Sequence, residues 1–352
     1  MKNLFTPGNR VAGIDVGSHS VQLVELAGDA GSYELARYAR VPLNRGIIDK
    51  GVMKDPAGVT DAVKKLFARS KCRQKNVAVA LPGHVSMITK ATFPAMDENE
   101  LRDRIIDDAR EFFPIDDISN VDFDFFVLGE NAINPDMIDV VIGAARKEII
   151  ASYRNVIEKA GCKVTIMDID AFALETAYEE NYDFDANNVV VLIHSGASIT
   201  NITIIRGGAS VFTRNISQGG DIVTETIQKK LSVSFDNAEM IKKHVAEGSE
   251  LTVDDLVGFA EPIIQEIKRS IDYFNTDLGG ALVSSVVLSG GNALLAGFRD
   301  ALSAQLRVDV QLFDPFQRIA VGKKVLSGDA RRETAARIPV GMGLALRKTD
   351  DK

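Results

Sequence analysis

The chain has 352 residues, of which 45% are apolar, and a formal net charge of −8. This length allows a large buried core and predicts two or more domains, while the negative charge argues against nucleic acid as a partner. The longest apolar stretches, such as Val189–Ile193, are far shorter than the roughly 18 residues of a membrane span. Met1–Pro7 lacks a secretory apolar core, and Cys72 and Cys162 form no disulfide or metal pattern, so we expect a cytoplasmic protein.

Two segments, one near the start of each half, share a single pattern. Val11–Leu26 and Val190–Ile204 each contain an apolar strand that ends at a polar residue, a glycine two positions later, small residues and a second strand. Each predicts a tight β-hairpin, in which glycine lets the backbone approach an anion and hydroxyl groups donate hydrogen bonds. One such turn alone is typical of any hairpin. The pair instead predicts a duplicated domain that grips phosphates from both sides of a cleft.

The segments between the hairpins predict the rest of the first half and an insertion within it. The first elements are a strand at Tyr33–Val41, a helix at Asp55–Arg69 and a strand at Asn76–Pro82. A β-α-β-β-α unit, which we interpret as a small inserted domain, follows with a strand at Val85–Phe93, a helix at Asp97–Phe113 stopped by Pro114, strands at Val121–Leu128 and Met137–Ala144, and a helix at Lys147–Ala160 closed by Gly161. The half then closes with a strand at Lys163–Asp168, a helix at Ala171–Glu180 and a polar linker at Glu179–Asn188.

The second half also alternates strands and helices after its hairpin. Helices are predicted at Asp221–Leu231, Asn237–Ala246 and Leu256–Phe274. A strand at Val283–Leu288 then ends in a glycine-rich turn that opens another helix, and a helix of small residues is predicted at Val340–Leu346. This alternation predicts an α/β fold with mixed sheets in two similar halves.

Three further features carry candidate chemistry. Gly290–Asn292 lies between a strand and a helix N-terminus, where free N–H groups favour phosphate or ribose oxygens, although a plain β–α turn has the same pattern. Glu239 and Lys242 share one helix face, which is also typical of a surface ion pair of little energetic value. The glycines of Val340–Leu346 lower the stability of a helix, so we expect a close backbone contact there.

Taken in order, these segments resemble the actin-like ATPase superfamily, which includes actin, sugar kinases, chaperone ATPases and the division protein FtsA. The two hairpins resemble its phosphate loops, Leu288–Gly297 its adenosine motif, and Asp168–Ala173 and Pro339–Leu346 its two connecting helices. Within the superfamily, the chain resembles in particular the PilM family of type IV pilus assembly. The segments that carry this resemblance are Arg110–Pro114, Ala160–Val164, Met167–Asp170, Arg214–Gly220, Arg269–Phe274 and Gly343–Arg347.

The resemblance implies an actin-like ATPase fold with two duplicated ribonuclease-H-like halves and an inserted β-α-β-β-α subdomain called 1C. The implied boundaries are 1–84 and 165–187 for subdomain 1A, 85–164 for 1C, 188–213 and 258–334 for 2A, 214–257 for 2B, and 335–352 for a C-terminal helix that returns to 1A.

The resemblance also implies ATP and Mg²⁺ as ligands of the cleft. The implied nucleotide-binding residues are Asp15, Gly17, Ser18, His19, Ser20, Gly196, Ala197, Thr200, Gly219, Gly220, Glu239, Lys242, Gly290, Gly291 and Asn292. Asp15 would also hold the metal, and Asp170 is the candidate catalytic base, although a helix N-cap role accounts for Asp170 equally well. His194 stands where relatives usually have Asp, and Gln22 where they often have Lys. We therefore expect ATP binding with weak or absent hydrolysis.

Three functional classes follow from these features. The resemblance favours an ATP-binding scaffold of the type IV pilus inner-membrane platform, which docks the N-terminal cytoplasmic peptide of a PilN-type membrane protein. We expect the docking groove beside the 97–113 helix and its Phe112–Pro114 end. Other platform components, pilus motor ATPases and further copies of the chain, in a homo-oligomer or ring, are the other implied partners, and they hold the protein at the inner membrane. An FtsA-like, filament-forming ATPase at the membrane is the alternative, and a small-molecule kinase is the third class.

Overall fold

A computed structural model describes residues 10–131, 133–185, 188–245, 250–277, 283–323, 325–326 and 328–349. Parts of three predictions lie outside these residues. They are the segment Met1–Pro7, positions 186 and 187 of the predicted linker Glu179–Asn188 and the last residue of the predicted helix Asn237–Ala246.

The first half contains a mixed sheet around a hairpin of β1 (Ala12–Val16) and β2 (Ser20–Ala27). The further strands of this half are β3 (Glu34–Pro42), β4 (Ile48–Asp49), β5 (Val52–Met53), β6 (Asn76–Leu81), β7 (Ser86–Pro94), β8 (Val121–Glu130), β9 (Met137–Arg146) and β10 (Lys163–Ile169). The sheet has the order β10-β6-β1-β2-β3, in which β1, β2 and β3 are antiparallel and β6 and β10 run parallel to β1.

The second half repeats this sheet strand for strand. Its strands are β11 (Val189–Ser195), β12 (Thr200–Arg206), β13 (Ala209–Ile216), β14 (Ser285–Ser289) and β15 (Val310–Leu312), while β16 (Ala320–Val321) returns to pair with β3. The order is β15-β14-β11-β12-β13, with β11, β12 and β13 antiparallel and β14 and β15 parallel to β11. The same order and the same strand directions confirm the predicted duplication of an α/β unit.

The helices cover these sheets and connect their strands. They are α1 (Pro56–Ser70), α2 (Glu98–Asp107), α3 (Ala109–Phe112), α4 (Lys147–Lys159), α5 (Asp170–Asn181), α6 (Asp221–Leu231), α7 (Phe235–Lys243), α8 (Val253–Asp277), α9 (Phe298–Leu306), α10 (Asp329–Arg337) and α11 (Pro339–Leu346). Within the described residues, no helix combines the length and the apolar character that a bilayer crossing needs.

Helices α5 and α11 lie between the two sheets and join the halves through one apolar cluster. This cluster combines Leu174 of α5 and Leu344 of α11 with Leu192 of the second sheet. A Cβ added to Gly343 would lie 1.7 Å from the carbonyl oxygen of Ala173, and one added to Gly13 would lie 2.2 Å from the carbonyl oxygen of Gly341. The close backbone contact predicted from the glycines of this helix is confirmed.

The helix predicted at Asp97–Phe113 is divided into α2 and α3. Asp97 caps α2 by accepting hydrogen bonds from the N–H groups of Asn99 and Glu100. At Asp108 the helix tightens, because the N–H of Glu111 donates to the carbonyl of Asp108, three residues back. Phe113, which follows α3, is only 4% exposed. It packs in an apolar core that is separate from those of the two halves. It is therefore a core residue and does not supply an exposed anchor at a groove.

The segment predicted as an inserted β-α-β-β-α unit divides into two packing environments. A sheet of order β7-β9-β8 and helix α2 enclose their own apolar core. Helix α4, in contrast, packs in the core of the first half. Tyr153 donates to the carbonyl of Gly51, and the hydroxyl of Thr60 in α1 donates to the carbonyl of Val156. The part of the insertion with its own core thus ends before α4.

Two other helices begin three or more residues from their predicted starts. Helix α8 begins before the predicted Leu256, because Thr252 and Asp255 form a reciprocal capping box: each accepts a hydrogen bond from the backbone N–H of the other. The turn after β14 does not open a long helix directly. It forms a 3₁₀ turn at Gly291–Leu294, and α9 begins only at Phe298.

Candidate functional site

A cleft of about 1060 Å³ lies between the two halves. Both hairpin tips and the turn after β14 line it. The two candidate phosphate loops, one from each duplicated sheet, therefore face the same space. The predicted residues that line the cleft are Asp15, Gly17, Ser18, His19, Ser20, Asp170, Gly196, Ala197, Gly220, Glu239, Lys242, Gly290, Gly291 and Asn292.

The two hairpin turns have the same geometry. The N–H of Gly17 donates to the carbonyl of Ser20 at 3.0 Å, and the N–H of Gly196 donates to that of Ile199 at 2.9 Å. These two N–H groups are used to close the turns. Hydrogen-bond donors for a ligand in the cleft therefore come from the residues at the hairpin tips. The hydroxyl oxygens of Ser18 and Ser198 lie 2.7 Å apart across it. Ser198 was not among the predicted site residues, although it occupies the second hairpin tip.

Thr200 and Gly219 do not line the cleft but support the second hairpin from behind. Thr200 is fully buried, and its hydroxyl donates to the carbonyl of Gln218 at 2.9 Å. A Cβ added to Gly219 would lie 2.5 Å from the carbonyl oxygen of Ala197. Thr200 and Gly219 therefore have a structural role behind the second hairpin. Neither directly contacts a ligand in the cleft.

The glycine-rich turn after β14 packs against the second hairpin. Gly290 has a φ of +90°, and a Cβ there would lie 2.3 Å from the carbonyl oxygen of Ser195, so glycine is required. The side-chain amide of Asn292 donates to the hydroxyl of Ser195 at 2.9 Å. A Cβ on Gly220 would lie 2.3 Å from the Asn292 Oδ1. These contacts hold the turn and the hairpin as one wall of the cleft.

Glu239 and Lys242 form a largely buried ion pair, so the alternative of a surface pair is wrong. Lys242 Nζ also donates to the carbonyl of Gly220 at 3.2 Å and to the hydroxyl of Thr224 at 2.7 Å. Burial raises the pKa of Glu239, but the charge and hydrogen bonds of Lys242 outweigh it and lower the pKa to about 2. The pair therefore stays charged and ties α7 to α6 at the rim of the cleft.

Asp15 is the next-to-last residue of β1, faces the cleft and is held by Gln22. The amide nitrogen of Gln22 donates to Asp15 Oδ2 and to the carbonyl of Arg337, both at 3.1 Å. The hydroxyl of Tyr38 donates to Gln22 Oε1 at 3.0 Å, so the amide group of Gln22 is fully engaged. Burial raises the pKa of Asp15 to about 6, against the opposing effects of Gln22 and the positive charge of Arg40.

Three arginines that sequence reasoning missed also line the cleft: Arg40, Arg45 and Arg337. Arg40 lies on β3 directly opposite Gln22 of β2, and Arg337 ends α10 beside Gly291. No motif marks any of these residues. Strand register was the signal that could have predicted Arg40 as a cleft residue. A residue directly opposite Gln22 in a hairpin lies on the same face of the sheet as Gln22.

The two histidines of the hairpins have fixed partners. His194 Nδ1 lies 2.9 Å from the hydroxyl oxygen of Ser289, and burial lowers the pKa of His194 to about 4, so the imidazole is neutral. His19 Nε2 lies 3.0 Å from Asp221 Oδ1, and its ring makes an edge contact with Phe235. His19 therefore links the first hairpin to the second half of the protein.

Asp170 lies at the junction of the two halves. It is the first residue of α5, whose N-cap is Ile169, so an N-cap role does not account for it. Its carboxylate accepts a hydrogen bond from the N–H of Gly83 at 3.1 Å and a weak one from the amide of Asn201 at 3.4 Å. Asn215 in turn donates to the carbonyl of Gly83 at 3.1 Å. Burial raises the pKa of Asp170 to about 7, although the Gly83 hydrogen bond opposes the shift.

The side chains of the cleft can bind Mg²⁺ only in a mode that needs few protein ligands. Among the residues that the structure describes, no cluster of three or more Asp, Glu, His or Cys side chains is arranged to hold a metal. Mg²⁺ keeps several waters and binds through one or two carboxylates together with substrate phosphates. Asp15, which faces the cleft beside the first hairpin, is compatible with that mode of binding.

Comparisons with known proteins agree with this architecture. A family model described as "Type IV pilus assembly protein PilM" matches residues 13–349. Cell division protein FtsA of Streptococcus pneumoniae serotype 2 (strain D39 / NCTC 7466) is 24% identical over 354 aligned positions, which cover 87% of this chain and 75% of that protein.

Two solved structures share the fold. A chain of a PilM-PilN type IV pilus biogenesis complex matches with a TM-score of 0.85 at 23% identity, over 97% of this chain and 98% of its own. MreB5 of Spiroplasma citri bound to ADP matches with a TM-score of 0.51 at 13% identity, over 96% of this chain and 95% of its own. The fold is thus that of the actin-like ATPases, as the sequence predicted.

Proposed function

This chain belongs to the PilM family of type IV pilus assembly proteins, and from that membership we propose that it is an ATP-binding, actin-like scaffold of the pilus inner-membrane platform. The observation that carries the proposal is the family match over residues 13–349, which includes both hairpins and the turn after β14. The cleft supports it, because equivalent hairpin tips face each other across a space lined by polar groups.

In the proposed complex, the hairpin tips at Ser18–Ser20 and Ala197–Ser198 hold the phosphates, and Gly290–Asn292 approaches the adenosine moiety. Glu239 and Lys242 line the side where α7 meets the cleft. ADP is the ligand named for the MreB5 structure that shares this fold. Mg²⁺, when bound, neutralises phosphate charge, and Asp15 is the residue that would hold it.

We propose slow hydrolysis because the groups that would place a water are already engaged. Asp170 is our candidate base, but its carboxylate binds Gly83 and Asn201 at the junction of the halves. His194 is neutral and bound to Ser289, so it does not replace a carboxylate near the metal. Each tenfold in rate corresponds to about 1.4 kcal/mol of barrier, so modest misplacement of such groups slows turnover strongly.

Thermal unfolding tests the nucleotide proposal. A ligand at about 1,000 times its Kd stabilises the folded state by roughly 4 kcal/mol, so ATP with Mg²⁺ should raise the melting temperature clearly. Asp15→Ala should abolish most of that rise. Asp61→Ala, which removes an exposed carboxylate on α1, is the matched control and should keep it. A wild-type melting temperature that ATP with Mg²⁺ leaves unchanged would refute the proposal.

The partner we propose is the N-terminal cytoplasmic peptide of a PilN-type inner-membrane protein. The match to a chain of a PilM-PilN complex supports this choice. Because Phe113 is buried, we place the groove at a cavity of about 310 Å³ that lies between α2 and β8. Ile106 lines it and is 40% exposed, and Phe123 and Phe125 of β8 line it as well. β8 is an edge strand of its sheet, which is a site where an extended peptide can pair.

Calorimetric titration of the full chain with that peptide tests the partner and the groove separately. Ile106→Glu should weaken binding at least tenfold, because it places a charge in an apolar contact. Tyr273→Ser, which changes an exposed side chain on α8 outside this groove, should not. Unchanged binding by Ile106→Glu would refute the groove, and no binding by the wild type would refute the partner.

Through this peptide we propose that the protein is held at the cytoplasmic face of the inner membrane, where it contacts other platform components, motor ATPases and further copies of itself in an oligomer or ring. The similarity to FtsA favours one alternative, a filament protein that binds the membrane directly. Co-sedimentation of the isolated chain with anionic lipid vesicles would support that alternative and oppose the scaffold proposal. Formation of a phosphorylated small molecule would instead support the kinase class.

A further inference from the structure

A row of three side chains crosses the floor of the cleft. Asp15 of β1 pairs in register with Gln22 of β2, and Gln22 pairs in register with Arg40 of β3. Residues directly opposite each other in neighbouring strands lie on one face of the sheet. All three line the cleft. The first sheet therefore presents an acid, an amide and a cation, in that order, toward the space between the hairpins.

The guanidinium group of Arg40 is attached to the first hairpin. Its Nε donates to the hydroxyl of Ser20 at 3.0 Å, and Ser20 is the first residue after the hairpin tip. Gln22 cannot serve an anion there, because its two amide hydrogens are used by Asp15 and by the carbonyl of Arg337. Arg40 is thus the donor-rich side chain beside the first hairpin tip.

The other basic side chains of the cleft are closely paired. Lys242 and Lys243 both contact Glu239, and Arg45 contacts Glu225. Arg337 contacts Glu333 within its own helix. Arg40 also approaches Glu333, but the distance is 3.8 Å and the carboxylate is 57% exposed. Arg40 shares this carboxylate with Arg337. Among the cleft residues that the structure describes, Arg40 therefore has the weakest pairing with an acid.

We propose that Arg40 binds the phosphate chain of the nucleotide and supplies the positive charge that Gln22 lacks. The inference rests on the proposed ATP-binding function. Arg40 already has a fixed position through Ser20, and its planar guanidinium group can present two N–H donors to phosphate oxygens. The exposed carboxylate of Glu333 yields to the ligand and keeps its contact with Arg337.

Calorimetric titration with adenosine, ADP and ATP tests the proposal. Arg40→Gln should weaken ATP binding about tenfold or more, since a charge-assisted hydrogen bond is lost, while adenosine binding stays within about twofold. Arg40→Lys should restore part of the ATP affinity, because it keeps the charge and loses the fork of donors. Arg37→Gln is the matched control. It removes a charge from the same strand, where Arg37 contacts Glu25 outside the cleft, and should bind ATP as the wild type does.

The outcomes separate the two proposals. If the wild type binds ATP and Arg40→Gln binds it equally well, the role of Arg40 is refuted and the ATP-binding function stands. If Arg40→Gln loses adenosine and ATP affinity to the same degree, Arg40 supports the cleft structure and does not bind phosphate. If the wild type binds no ATP, the proposed function is refuted and this inference with it. Melting temperatures without ligand show whether each variant is folded.

Discussion

Replacing Asp170 by asparagine should flatten the dependence of protein stability on pH. The Asp170 carboxyl group is buried where the two halves meet, and burial raises its pKa from the usual 3.8 to about 7 in the folded protein. Well below pH 4 the group is protonated in both states. As pH rises from there to 7, the unfolded chain loses its proton first, so the folded state becomes less stable relative to it.

The magnitude follows from the two pKa values. The full shift of about three units corresponds to roughly 4 kcal/mol of stability, lost between about pH 4 and pH 7. Across the narrower range from about pH 6 to pH 8, the linkage relation gives a loss of about 1 kcal/mol. Asparagine keeps the shape of the side chain and has no proton to lose in this pH range.

Urea titrations at several pH values between 6 and 8 measure this difference directly. The wild type should lose more stability across the range than Asp170→Asn, by about 1 kcal/mol. Glu175→Gln is an informative comparison, because burial raises the pKa of Glu175 to about 8. The stability that protonated Glu175 contributes should therefore be lost at higher pH than that of Asp170. Equal slopes for the wild type and Asp170→Asn would show that the Asp170 carboxyl is not perturbed in the fold.

Two other substitutions test packing and chemistry. Gly343→Ala should lower the free energy of unfolding by about 2–3 kcal/mol, because the new Cβ would lie 1.7 Å from the carbonyl oxygen of Ala173. Gly258→Ala, at an open position of α8, should be neutral or stabilising by up to about 1 kcal/mol, and equal urea midpoints for the two variants would contradict the packing argument. His194→Asp should raise the slow rate of phosphate release from ATP, because it places a carboxylate where a neutral imidazole now stands. Rapid wild-type turnover that His194→Asp leaves unchanged or lowers would refute the scaffold interpretation.

Several features of this protein follow from local sequence. The hairpin of β1 and β2 and its echo in β11 and β12 were predictable, because alternating apolar residues and a glycine turn determine such an element without distant contacts. The α/β class and the contact at the glycines of α11 followed from periodicity and from the cost of glycine in a helix. The boundary between α2 and α3 did not, since Leu101, Ile105 and Ala109 continue the helical spacing across Asp108.

The tertiary structure alone decided which side chains meet in the cleft. Thr200 was a reasonable phosphate ligand by position, yet β12 turns it into the core, where it binds Gln218. Arg40 belongs to no motif and reaches the site only because β3 pairs with β2 in a particular register. Asp170 acquires its raised pKa from the burial created when the two halves come together, against the opposing hydrogen bonds from Gly83 and Asn201. Local sequence determines elements through short-range sterics and periodicity, whereas burial and register arise from contacts between residues far apart in the chain, and those contacts set the charge and reach of each site residue.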